Sequence, residues 1–104
     1  MRLEQFTTDA YPVRQRPHAW REALHLHRLR PEMAAAEPLY GTLTAGRTAR
    51  GVGMARITSS PQTIQRLGNA ADAIWLALHL GGDATLHNGQ QTIELAPGDI
   101  VFGP

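Results

Sequence analysis

Five histidines, ten arginines and no cysteine set the chemistry open to this chain of 104 residues. Without cysteine there is no thiolate nucleophile, no thiolate metal site and no disulfide framework. His25 and His27 look like a metal pair, but on a helix residues two apart point about 200° from each other and do not share an ion. The expected pair is one semi-buried and one exposed histidine. His79 and His87 fall on segments read as neighbouring strands, where they approach each other, yet two imidazoles without a third ligand fall short of a catalytic metal site. Ser59 and Ser60 precede Pro61 without the glycine elbow that exposes a nucleophilic serine. Gly46, Gly51 and Gly53 flank Arg47 and Arg50 without the spacing or the lysine of a phosphate loop, and read as turn glycines. These patterns supply no catalytic residue, no metal and no cofactor, so the chain is expected not to be an enzyme.

The charges point to no partner by themselves. Ten basic against nine acidic residues give a net charge of +1, too little to draw the chain to nucleic acid or a membrane. All ten basic residues are arginine. Their planar forks suit phosphate, although the codon usage of a GC-rich genome accounts for them at least as well. Arg14, Arg21 and Arg28 recur every seven residues and would form a basic ridge along a helix, diluted by Glu22 into a solvated face. No stretch approaches the roughly 20 apolar residues needed to cross a bilayer. The start, Met1-Arg2-Leu3-Glu4-Gln5-Phe6, is unlike a signal peptide, so a cytoplasmic location is expected.

The elements that must carry these residues divide into a helical lead-in over 1–31 and a β-region over 38–104, within a single domain. Thr7, Thr8 and Asp9 are good caps, and Val13, Trp20, Ala23, Leu24 and His27 form one helical stripe. Pro17 either kinks this helix or occupies its first turn. The second option is favoured, with the helix running to about Leu29, Pro31 ending it, and 32–37 forming a connector. From residue 39 onward, short β-segments separated by glycine turns are expected at 39–45, 52–58, 63–67, 74–80, 84–87, 92–95 and 99–102. Asn88-Gly89 suits a type I′ hairpin, and Ala96-Pro97-Gly98-Asp99 suits a type II turn with glycine at the positive-φ position. In 74–80, Ile74, Leu76, Leu78 and Leu80 alternate with Trp75, Ala77 and His79. A strand apolar on both sides is expected to be central, its Trp75/His79 side either lining a cavity or packing under the helix.

Leu76-Ala77-Leu78-His79-Leu80-Gly81-Gly82, Asn88-Gly89 and Leu95-Ala96-Pro97-Gly98-Asp99-Ile100-Val101-Phe102-Gly103-Pro104 resemble the middle of a cupin barrel. The front is similar to the effector-binding-like domain of AraC-type transcriptional regulators. The matching pieces run in that family's order: Phe6-Thr7-Thr8-Asp9, Trp20-Arg21-Glu22-Ala23-Leu24, Tyr40-Gly41, Ala55-Arg56-Ile57-Thr58-Ser59-Ser60 and Gln65-Arg66. The resemblance covers nearly the whole chain. It implies a mainly β fold with an N-terminal helix, a partial cupin-like antiparallel sandwich or barrel. It also implies an effector-sensing or dimerising module, with DNA reached only through a carboxy-terminal helix-turn-helix pair that these residues do not contain. Trp75, His79 and Arg66 become the candidate effector contacts. Arg66, which matches an arginine of the family pattern, serves either in that role or in a buried ion pair with Asp72. A barrel left short of closure would expose strand edges and favour a homodimer. Metal-binding cupins carry His-x-His and Glu ahead of the strand that here is 74–80, whereas 58–73 hold no His and no Glu. That departure counts against a metalloenzyme; the alternative reading is a small stand-alone cupin-type enzyme or small-molecule-binding protein. A fragment without activity of its own is a third possibility.

Overall fold

A computed structural model describes residues 2–33, 38–67, 75–88 and 91–103. The fold is mainly β with one α-helix, its strands paired antiparallel and not closed into a barrel. The chain divides into two compact units, Met1–Gly68 and Asn69–Pro104. In the first unit, β1 (Arg2–Thr7) leads through two single-turn 3-10 helices (Thr8–Ala10 and Val13–Gln15) into α1 (Arg16–His25). β2 (Leu29–Met33), β3 (Gly41–Arg47), β4 (Gly53–Ser59) and β5 (Gln62–Arg66) follow. The sheet order is β1-β3-β4, with β2 and β5 forming a separate ladder.

The core of this unit follows from two periodicities meeting. Trp20 and Leu24, four apart on α1, are fully buried, and they close over Leu43 and Ala45, two apart on one face of β3. Phe6 stands opposite Leu43 on β1, and Ile57 stands opposite it on β4. Gly41 makes room at the end of β3: a Cβ there would lie 2.7 Å from the Trp20 ring. The buried polar atoms are paired. The Trp20 indole donates to Gln62 Oε1 at 2.7 Å, and the Gly41 amide donates to the hydroxyl of buried Thr8 at 3.0 Å.

The front of the chain departs from expectation in two ways. Arg2–Thr7 is a strand, and the Thr7 hydroxyl caps a 3-10 turn by accepting from the Asp9 amide at 3.2 Å; α1 itself begins at Arg16 with Pro17 in its first turn, as the favoured reading of Pro17 expects. At the other end the helix stops at His25 rather than near Leu29. The amides of His27 and Arg28 turn back to Leu24 and His25, and Arg28 takes a left-handed φ of 58°. That reverses the chain, and the Arg28 carbonyl accepts from the Leu67 amide at 2.7 Å, at the head of the β2-β5 ladder. Leu29–Met33, expected to be helix end and connector, is therefore strand. Pro31 fits because β2 has one described neighbour, as an edge strand does. Residues 34–37, the rest of the expected connector, lie outside the described residues.

The second unit pairs β6 (Trp75–Leu78) with β9 (Ile100–Gly103), and β7 (Ala84–Asn88) with β8 (Gln91–Leu95). Every expected β-segment from residue 39 onward is a strand, with ends shifted by no more than two residues. The 96–99 turn is present: the Asp99 amide donates to the Ala96 carbonyl at 3.0 Å, and Gly98 takes φ 94°. The 88–91 hairpin is present as well, with Asn88 paired to Gln91; Gly89, and so the turn type, lies outside the described residues. The expectation of a central, doubly buried strand at 74–80 fails. β6 has β9 as its one described neighbour, and Leu76, Leu78, Ile100 and Phe102, paired across it on one face, are at least half exposed.

Candidate functional site

The three residues singled out as effector contacts are divided between the two units, Arg66 in the first and Trp75 and His79 in the second. Trp75 begins β6 opposite Gly103, where a glycine Cβ would come within 3.0 Å of the indole, so the ring lies across the bare backbone of β9. His79 clamps two turns. Its Nε2 lies 2.7 Å from the Gly82 carbonyl, its amide donates to Asp99 at 2.9 Å, and its carbonyl accepts from Gly98 at 2.7 Å. Arg66 belongs to the other unit, exposed at the end of β5 opposite Leu29. Asp72, its suggested partner, lies outside the described residues.

The other sequence candidates also find local uses. His79 and His87 are not on paired strands, because β6 pairs with β9 and β7 with β8; His87 Nδ1 faces the Thr92 hydroxyl at 3.1 Å across its own hairpin. His25 and His27 are both exposed, one ending α1 and the other in the turn beyond it, rather than one being semi-buried. Among the described residues no group of three or more metal-ligating side chains comes together. The Ser60 hydroxyl accepts from the Tyr40 amide at 3.1 Å and donates to its carbonyl at 3.2 Å. Gly51 turns the β3-β4 hairpin with φ 87°, whereas Gly46 and Gly53 are ladder residues rather than turn glycines. The arginine ridge is broken, since Arg28 leaves the helical path and only Arg21 of the three lies within α1.

What the first unit does hold is an open cleft of about 1210 Å³, bounded by α1, β1, β2 and β3. The volume exceeds the ~300–1,000 Å³ of usual ligand pockets, so a small molecule would occupy part of it. Its apolar side is laid down by the same alternation that builds the core: Phe6 on β1, Leu43 and Ala45 on β3, Leu29 on β2. Tyr11 adds a second ring 5.6 Å from that of Phe6, and buried Trp20 lies 5.9 Å from Phe6. The lining also carries Arg14, Arg21 and Arg30 together with Glu4 and Glu22. The Glu22 carboxylate is engaged by His18 at 3.1 Å. A smaller cleft of about 580 Å³ lies toward Arg2, Arg47 and Met54.

Sequence reasoning missed Phe6 and Arg30 as cleft residues because β1 and β2 fall in the expected helical lead-in and connector, and it missed Tyr11 because that residue ends a 3-10 turn where a continuing helix was expected. No local signal marks β1, since its two faces, Leu3/Gln5 and Glu4/Phe6, each mix one apolar with one polar residue. The chain matches no protein-family model, no curated protein and no solved structure.

Proposed function

We propose that this chain is the regulatory module of an AraC-type transcriptional regulator, holding a small-molecule effector and contacting a second copy of itself. DNA is read through a carboxy-terminal helix-turn-helix pair outside these residues. The resemblance of the segments from Phe6 to Pro104, in that family's order, supports the family, and one observation carries the sensing role: the lining of the first unit's cleft combines aromatic and aliphatic side chains with charged ones. A pocket with an apolar wall and a few polar groups is the usual form of a small-molecule site. Effector binding would shift the balance between arrangements of the attached DNA-binding helices by its differential affinity for them. Trp75 and His79 take a structural part in this reading, because each is engaged in holding its own sheet or turn.

The test is a thermal-shift screen of the intact chain against small metabolites. An effector at a hundred times its dissociation constant stabilises the folded state by about 2.7 kcal/mol. The expected result is at least one compound that raises the melting temperature with concentration and whose effect is weakened by Tyr11→Ala. A library in which nothing shifts the transition overturns the sensing role.

A further inference from the structure

We propose that the cleft of the first unit takes an aromatic monocarboxylate, its ring laid against Phe6 and Tyr11 and its carboxylate turned toward Arg14 and Arg21. The inference rests on the sensing reading above and names the ligand class. The aromatic side comes first. Phe6 is tilted 32° to Tyr11 and 34° to Trp20, and both Phe6 and Tyr11 border the cleft. Planar rings favour such tilted or offset contacts, with centroids about 4.5–7 Å apart. A flat apolar body gains that contact along with the aliphatic surface of Leu43 and Ala45.

The charge of the ligand follows from the lining. Three arginines face the cleft against two glutamates, an excess of one positive charge with the histidines neutral. Glu22 is held by His18, and the Arg30 guanidinium is held by the Gln65 side chain on the neighbouring strand. Arg14 and Arg21 have no ion pair among the described residues, and their forks are left to receive an anion. Arginine binds carboxylate and phosphate alike in bidentate fashion. An excess of one charge matches a monoanion, whereas a phosphate dianion would exceed it by one.

The experiment compares naphthalene-2-carboxylate with its neutral twin naphthalene-2-carboxamide, titrated calorimetrically into the intact chain at low salt and neutral pH. The carboxylate is expected to bind at least tenfold more tightly than the amide. In an Arg14→Gln/Arg21→Gln double variant that preference falls below threefold, with the melting temperature of the unliganded protein unchanged. Tyr11→Ala weakens both probes together. Equal affinity for the two probes, no binding of the carboxylate, or a preference that survives in the double variant overturns the assignment. The sensing reading stands apart from these outcomes: it survives if the amide or any neutral metabolite binds the cleft, and it falls when the whole screen is silent.

Discussion

Gly41 and Arg28 occupy opposite backbone problems, and each predicts a substitution. The Trp20 ring packs against Gly41, with three ring atoms 2.7 to 2.9 Å from where a Cβ would stand. The indole cannot retreat, because it is fully buried and its nitrogen is held by Gln62. Gly41→Ala is therefore expected to lower stability by about 1–3 kcal/mol, the usual cost of overpacking a core. At about 4–8 °C per kcal/mol for a domain of this size, a melting curve reads this readily. Arg28 sits at φ 58°, where a side chain costs about 1–2 kcal/mol relative to ordinary helical backbone. Arg28→Gly should leave stability unchanged or raise it, whereas Arg28→Val should lower it by about 1–2 kcal/mol, since branching at Cβ makes positive φ harder still. Equal melting temperatures for the two variants would refute the strain argument. Neither effect is legible in the chain alone: the spacing identifies Trp20 as a core residue, but nothing local says that its ring will rest on a glycine twenty-one positions later. Trp75 and His79 illustrate the same limit. Their alternation within 74–80 is visible in the sequence, but their uses are set by Gly103, Gly98 and Asp99, which the β6-β9 pairing brings to them.

Secondary structure was most legible where turn chemistry punctuates it. The segments after residue 39 were found because Asn88-Gly89 and Pro97-Gly98 mark their ends and β-branched or aliphatic residues alternate between them. β1 and β2 were missed because their local composition argues against strand. Arg2–Thr7 has one β-branched residue, and Leu29–Met33 contains a proline. Long-range pairing overrides that preference, β1 by a six-pair register with β3 and β2 by a five-pair register with β5. The cleft was lost with them, since two of its walls are these strands. Among the described residues, β5 is tied to α1 by one side-chain hydrogen bond, from the Trp20 indole to Gln62. Gln62→Leu removes the acceptor and leaves a buried donor unsatisfied, at about 1–3 kcal/mol. Gln62→Glu keeps an acceptor in place and should retain most of that stability. A Leu variant as stable as the Glu variant would mean that apolar packing alone joins the helix to this ladder.

At the scale of the whole chain, burial is uneven. Trp20, Leu24, Leu43 and Ala45 make a dry core in the first unit, while no described residue of the second is buried. The second unit's described strands form two-stranded ladders, which are marginal in water without an apolar face to cover them. Such a face exists on β6 and β9: Leu76 opposite Phe102 and Leu78 opposite Ile100, with Leu76 and Phe102 67% and 75% exposed. Exposed apolar patches of this kind and open strand edges are where chains associate. If the homodimer proposed above uses this face, the protection of β6 and β9 amides against hydrogen exchange must depend on protein concentration, while that of β3 and α1 does not. Hydrogen exchange followed by mass spectrometry at low and high micromolar protein separates the two behaviours, with light scattering reporting mass in the same samples. Phe102→Asp should abolish the concentration dependence and the dimer mass together, because a carboxylate placed opposite Leu76 must be desolvated to be covered. The melting temperature of the first unit should stay as it was. Protection of β6 and β9 that is the same at every concentration, in a protein whose scattering mass stays that of one chain, would exclude a second copy as the cover for this face.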